Sequence, residues 1–232
     1  MLEDKEQCIY AILKVAKALG ELNREVVFVG GSVIGLYVSN ELADEIRPTK
    51  DVDITLSITS FGKLEELREK LTQLKFYQTH EDDVICRFRY EDIKVDVMST
   101  HEIGWAPANR WFKVGFQDVQ KQMIQGVEVN IFRVGCYLAT KFEAFLSRGG
   151  DDPRWSHDFE DIVYLLAFSD NLFVELEKES VEVRLFIKEE FVKILQDVLL
   201  QEAIYAHLNP SFQTHQYKKI EKNMLDYISS FT

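Results

Sequence analysis

Asp51 and Asp53 stand two residues apart in Asp51-Val52-Asp53-Ile54-Thr55-Leu56. The run alternates polar and apolar side chains, as a half-buried strand does. Its period of two puts both carboxylates on one face, roughly 7 Å apart at Cα. Two acidic groups so placed repel each other unless a cation lies between them. A lone Asp-x-Asp is more often a solvated strand edge. Here Asp96 lies in a second alternating run, Lys94-Val95-Asp96-Val97-Met98. If the two strands pair, three carboxylates converge on one sheet face. Such a set suits Mg²⁺, which takes oxygen ligands and completes its shell with water and substrate phosphates. Two such ions can clamp the attacking and leaving oxygens of a phosphoryl transfer.

Gly30-Gly31-Ser32 offers a place for the phosphates. It follows Glu25-Val26-Val27-Phe28-Val29, an apolar, β-branched run that reads as a buried strand. It precedes the apolar stretch Val33 to Val38, for which Ser32 is a suitable N-cap. Glycines let the backbone come close to a triphosphate. The first N–H groups of the helix expected after Ser32 present the positive end of a dipole. Taken alone, this is an ordinary capped turn. A phosphate cradle beside three carboxylates in one small domain points to nucleotide chemistry.

In this order, Gly30-Gly31-Ser32, Asp51-Val52-Asp53 and Asp96 resemble the signature of the DNA-polymerase-beta-like nucleotidyltransferase superfamily. The resemblance implies transfer of a nucleoside monophosphate from a triphosphate to an acceptor hydroxyl, with two Mg²⁺ ions present and pyrophosphate released. The longer stretch Arg47-Pro48-Thr49-Lys50-Asp51-Val52-Asp53 resembles the abortive-infection type IV toxin (AbiEii-like) nucleotidyltransferases, where a basic residue and a Ser or Thr precede the Asp-x-Asp. Lys141-x-x-Ala144-x-x-x-Arg148 is similar to that family's K-x-x-A-x-x-x-R helix. Asp158-Phe159-Glu160-Asp161 is similar to its R-D-x-x-D motif, with His157 at the family's Arg position and Arg154 off register upstream.

The resemblance implies that Asp51, Asp53 and Asp96 hold metal, with Asp96 as proton acceptor. It implies that Gly30, Gly31, Ser32, Arg47, Thr49, Lys50 and Arg148 bind the nucleotide. Lys141 and Asp158 are then catalytic, Lys141 offsetting charge on the leaving pyrophosphate. A toxin of this kind acts on tRNA or another RNA and is checked by a separate antitoxin. Two other readings stay open. One is transfer to a protein or small molecule such as an aminoglycoside. The other is a nucleotide-binding pseudoenzyme that serves as an interaction module. The residues themselves allow a further alternative in the C-terminal half. Lys141 and Arg148 share a helix face two turns apart. Either can pair with Asp158 or Asp161 simply to join two helices.

These residues need a scaffold of two kinds. Ile9, Ile12, Leu13, Ala16 and Leu19 predict an amphipathic helix stopped at Gly20. Leu64, Leu67, Leu71 and Leu74 predict another helix. Ile85 to Tyr90 and Ile93 to Met98 read as strands joined by a tight turn at Glu91-Asp92, and Val127 to Phe132 as one more. Arg87, Arg89 and Lys94 read as solvated strand charges. Trp105, Trp111 and Phe112 read as core in an otherwise ambiguous stretch, 101–125. After Phe132 the period changes, and helices are expected to the end: one through Tyr137 to Phe145, then Ile162 to Phe168, Val183 to Leu200 and Ile220 to Ile228. The expected fold is α+β: a mixed-sheet nucleotidyltransferase domain over 1–133, an all-helical domain over 134–232, and the active site in the cleft.

Composition narrows the classes. The 232 residues are 46% hydrophobic, enough for a full core. A net charge of −12 argues against coating nucleic acid through a broad basic face and against docking on an anionic membrane. A small site for one RNA end is still compatible with it. The 3 cysteines are far apart and odd in number, which fits a reducing compartment. The start is acidic, and no apolar run is long enough to span a bilayer. A soluble, cytoplasmic protein is expected.

Overall fold

The structure, a computed structural model, describes residues 2–38, 49, 51–148 and 152–231. Two compact units divide it. One comprises Met1–Gly35 and Glu45–Arg133, the other Leu36–Asp44 and Val134–Thr232.

The first unit is built on one mixed sheet. Its strands are β1 (Val27–Val29), β2 (Asp51–Leu56), β3 (Arg87–Tyr90), β4 (Ile93–Ser99), β5 (Val119–Ile124) and β6 (Val127–Phe132). They lie in the order β3-β4-β2-β1-β6-β5. β1 sits near the middle, antiparallel to β2 and parallel to β6. Its three residues are all buried, as an apolar central strand requires. β2 and β4 run parallel, which demands a crossover, and the helix α2 (Phe61–Gln73) lies within it. Ser60 caps α2 by accepting from the Lys63 N–H, and Leu64, Leu67 and Leu71 are its buried face. The helix α1 (Leu2–Leu19) buries Ile12, Val15 and Leu19 in the same unit.

Two hairpins carry the outer strands. β3 and β4 join through Glu91-Asp92, with Glu91 at φ 53°. β5 and β6 join through Gln125-Gly126, both at positive φ, the geometry of a tight hairpin turn. Sequence periodicity missed β5, because Val119-Gln-Lys-Gln-Met-Ile124 alternates poorly and lies at the sheet edge. A short helix, α3 (Phe112–Gly115), precedes it. Trp105, Trp111 and Phe112 are buried, as expected of core aromatics.

The second unit is helical: α4 (Val134–Ser147), α5 (His157–Phe168), α6 (Leu172–Leu176), α7 (Val181–Gln196), α8 (Val198–His207) and α9 (Gln213–Ser229). α4 is buried along most of its length, and Tyr37 stacks on its Tyr137 at 4.5 Å between ring centroids. Phe191 of α7 meets Phe142 of α4 and Tyr227 of α9 edge-on. The single run expected over 183–200 is two helices. Asp197 leaves helical geometry and caps α8 by accepting from the Leu199 and Leu200 N–H groups. Among the described residues, no helix is long and apolar enough to cross a membrane.

Candidate active site

The β2–β4 register brings the acidic residues together. Asp53 lies opposite Asp96, and Asp51 opposite Lys94. Neighbouring strands are about 4.8 Å apart, and residues in register share a face. Val52, Ile54, Val95 and Val97 alternate with them and are fully buried, so the sheet core fixes which way the carboxylates look.

A cation already lies among them. β3 pairs antiparallel with β4 so that Arg87 stands opposite Asp96. Arg87 donates to Asp96 through two bonds of 2.7 Å, Nε to Oδ1 and Nη2 to Oδ2. The same Nη2 reaches Oδ2 of Asp51 at 3.3 Å. The Arg87 and Asp96 side chains are only 15% and 16% exposed. The hydrogen bonds to Asp96 push the guanidinium's pKa further above its usual range. As they lie, no three His, Cys, Asp or Glu side chains among the described residues are gathered closely enough to hold a metal ion. The strands bring the backbone positions together, while the carboxylates turn to a guanidinium.

Arg87, which periodicity left as a solvated charge, is mostly buried and ion-paired. Its signal was nonetheless present. A two-residue turn at Glu91-Asp92 pairs Tyr90 with Ile93 and, counting back, Arg87 with Asp96. Burial beneath this pair pushes the Cys86 thiol up to about 11, helped by the negative charges of Asp96 and Asp53.

Gly30 makes room for Asp53. Its φ is +70°, and a Cβ there would lie 1.7 Å from Asp53 Oδ2. Only glycine therefore fits against this carboxylate. Ser32 is buried, and its Oγ has no hydrogen-bond partner among the described residues. An orphaned hydroxyl beside Gly30 and Gly31 can donate to an incoming oxygen ligand. The helix expected after Ser32 is a six-residue 3₁₀ helix, Gly31–Leu36, and Ser32 lies inside it. Ser32 is therefore no N-cap. Thr49 touches backbone, its Oγ1 lying 3.4 Å from both the N and the O of Asp51, so it steadies the start of β2. Arg47 and Lys50 lie outside the described residues.

In the helical unit, the Lys141 and Asp158 motifs meet each other. Lys141 Nζ lies 2.6 Å from Asp161 Oδ2 and 3.5 Å from Asp158 Oδ1. Arg148 reaches Asp158 Oδ2 at 2.6 Å. The Lys141, Asp158 and Asp161 side chains are at most 7% exposed, whereas Arg148 is 66% exposed. These pairs tie α4 to α5. His157 opens α5 and faces Glu160 at 3.2 Å, while Arg154 is committed to Asp152.

A cavity of about 540 Å³ opens elsewhere in the first unit, against the far ends of β1 and β2 at Val27, Leu56 and Ile58. None of the three aspartates lines it.

Asp51, Asp53 and Asp96 offer oxygen donors alone, the chemistry that Mg²⁺ prefers. Arg87 shows that the set already carries a cation. Residues 12–229 match the family described as nucleotidyl transferase AbiEii toxin, type IV TA system. The chain belongs to this family and is a nucleotidyltransferase. No curated protein matches it. A crystal structure of an antigenic nucleotidyltransferase-like protein from Paracoccidioides brasiliensis is similar in fold, with a TM-score of 0.50 and 17% identity over 90% of this chain and 97% of that one. The solution structure of the antibiotic-resistance factor ANT(2'')-Ia matches with a TM-score of 0.46 and 15% identity, over 83% of this chain and 97% of that one.

Proposed function

We propose that this protein moves a nucleoside monophosphate from a nucleoside triphosphate to an RNA hydroxyl, with tRNA ends as the favoured class, and that an antitoxin restrains it. The observation that carries the reading is the Asp53–Asp96 register, with Asp51 on the same face and Gly30 cut away beneath Asp53. Asp51, Asp53 and Asp96 would hold Mg²⁺. The metal supplies Lewis-acid activation of the attacking hydroxyl and charge stabilisation at the phosphates.

The chain's own groups do the rest. Gly30 and Gly31 leave space for phosphate oxygens, and the Ser32 hydroxyl donates to one of them. The acceptor oxygen bonds to the α-phosphorus in line with the departing bridge oxygen. The bond between the α-phosphorus and that bridge breaks, and pyrophosphate leaves with the electron pair. The hydroxyl proton passes to a carboxylate oxygen of Asp96. Positioning and electrostatics dominate such transfers, so the protein needs little further covalent chemistry. Lys141 lies on α4 and Arg148 just beyond its last residue, and the resemblance to the family motif suggests a triphosphate contact for both. The sealed pairing of Lys141 with Asp158 and Asp161, with the exposed Arg148 also on Asp158, favours instead a role in holding α5 against this helix.

The test is incubation with each of the four labelled triphosphates, Mg²⁺, and whole-cell RNA and protein together. Label in a small-RNA band that vanishes with Asp53→Asn supports the reading. Label in protein alone moves the acceptor to a side chain. Pyrophosphate release without label in any macromolecule moves it to a small molecule. No release under any condition makes the protein a nucleotide-binding module.

A further inference from the structure

Resting on the metal reading above, we infer that Arg87 is a positioning residue that couples metal loading of the carboxylates to arrival of the triphosphate. Arg87 holds both oxygens of Asp96 and touches Asp51, so it covers two of the three expected ligands at once. A free divalent ion must break a bidentate, charge-assisted pair in a half-buried place, where such bonds are strong.

The released guanidinium also needs a new anion. Beyond Asp96 and Asp51, Arg87 also feels the charge of Asp82. Asp82 is already bound bidentately by Arg89, at 2.7 and 2.9 Å. Asp82 is therefore not vacant to take Arg87 over. A triphosphate brings what a lone ion does not. It adds oxygen ligands for the metal and pairs of phosphate oxygens that a planar guanidinium can grip bidentately. Metal and nucleotide then load together, and metal alone loads poorly. If Arg87 leaves the carboxylates one tenth of the time, apparent affinity for free metal falls about tenfold.

The test is titration of the full chain with Mn²⁺ alone, by calorimetry and by electron paramagnetic resonance, with and without an α,β-methylene triphosphate. For Arg87→Gln, the expected result is about tenfold tighter binding of Mn²⁺ alone than in the parent. The gain in Mn²⁺ affinity conferred by the analogue should shrink by a similar factor. Arg87→Lys keeps the charge but loses the fork, and should fall between the two. It also serves as the comparison if Arg87→Gln does not fold. Asp53→Asn should abolish Mn²⁺ binding in every background. If Arg87→Gln and Arg87→Lys bind Mn²⁺ alone no more tightly than the parent while Asp53→Asn abolishes binding, the coupling is overturned and the metal site stands. If Asp53→Asn leaves Mn²⁺ binding unchanged, the metal site falls and the coupling falls with it.

Discussion

The protein contains two clusters built from the same ingredients, aspartates against a basic side chain. In the sheet, Arg87 bridges Asp51 and Asp96, and Asp51 is 36% exposed. Between α4 and α5, Lys141 lies against Asp161 and Asp158 with every one of the three side chains sealed from solvent. The surroundings separate their roles. A cluster that water reaches, as it does at Asp51, can trade its cation for another. A sealed pair cannot do so cheaply, since removing one partner leaves an uncompensated buried charge. Family motifs mark both clusters equally, and only burial distinguishes exchange from architecture.

That contrast can be broken by substitution, and the largest effect is expected in the sheet. Asp53→Asn should lower transfer at least about a hundredfold, since even outer partners of metal ligands cost 10–100-fold. Its metal-free melting temperature should equal or exceed that of the parent, because one charge leaves a crowded face. A marked fall in melting temperature would show that Asp53 has a structural partner and is no metal ligand.

Lys141→Ala should do the reverse, destabilising the fold by about 3 kcal/mol. Triphosphate affinity measured well below the melting point should change little. A variant that melts like the parent but binds triphosphate weakly would move Lys141 from architecture to the site. Gly30→Ala should cost at least about 1 kcal/mol for its left-handed backbone. It should also reduce metal binding, because the new methyl group falls on the Asp53 carboxylate. Metal affinity equal to the parent's would remove Gly30 from the site's shape.

The smallest effect concerns pH. The Cys86 thiol is pushed up from 9.0 to about 11. The folded protein therefore keeps a proton that the unfolded chain gives up, and stability from this group falls as pH rises through that window. Below pH 9 its contribution is fully present. The stability difference between the parent and Cys86→Ala, followed by urea unfolding from pH 8 to 11, should drift against the parent. A constant difference would show that burial does not raise the thiol in the folded protein.

Much of the sheet cluster was legible because period-2 alternation is a strong signal where one face is buried. Asp51-Val52-Asp53-Ile54 and Lys94-Val95-Asp96-Val97 obey it, and both are strands. β5 was not legible, because an edge strand with little to bury has little reason to alternate. The break at Asp197 hid inside an apolar helical run, where a single capping carboxylate outweighs the pattern on either side. The 3₁₀ helix after Gly30 was hidden differently. Val33-Ile34-Gly35-Leu36 is apolar enough for a helix, yet short-range hydrogen bonding, which periodicity does not report, decides the type. Arg87 could have been placed from the hairpin turn alone, since a two-residue loop fixes every pairing beyond it. That step treats residues as pairs across strands, where periodicity treats each strand alone.

The parallel pairing of β2 with β4 has a consequence in time. Asp53 and Asp96 become neighbours only after α2 and the β3 hairpin have been made and the chain has returned across the sheet. Closing a connection of this length costs entropy before any contact repays it, so such pairings form late. A chain still emerging from the ribosome with β2 complete but β4 unmade carries Asp51 and Asp53 without their third partner. A product cut short before β4 therefore lacks the third carboxylate.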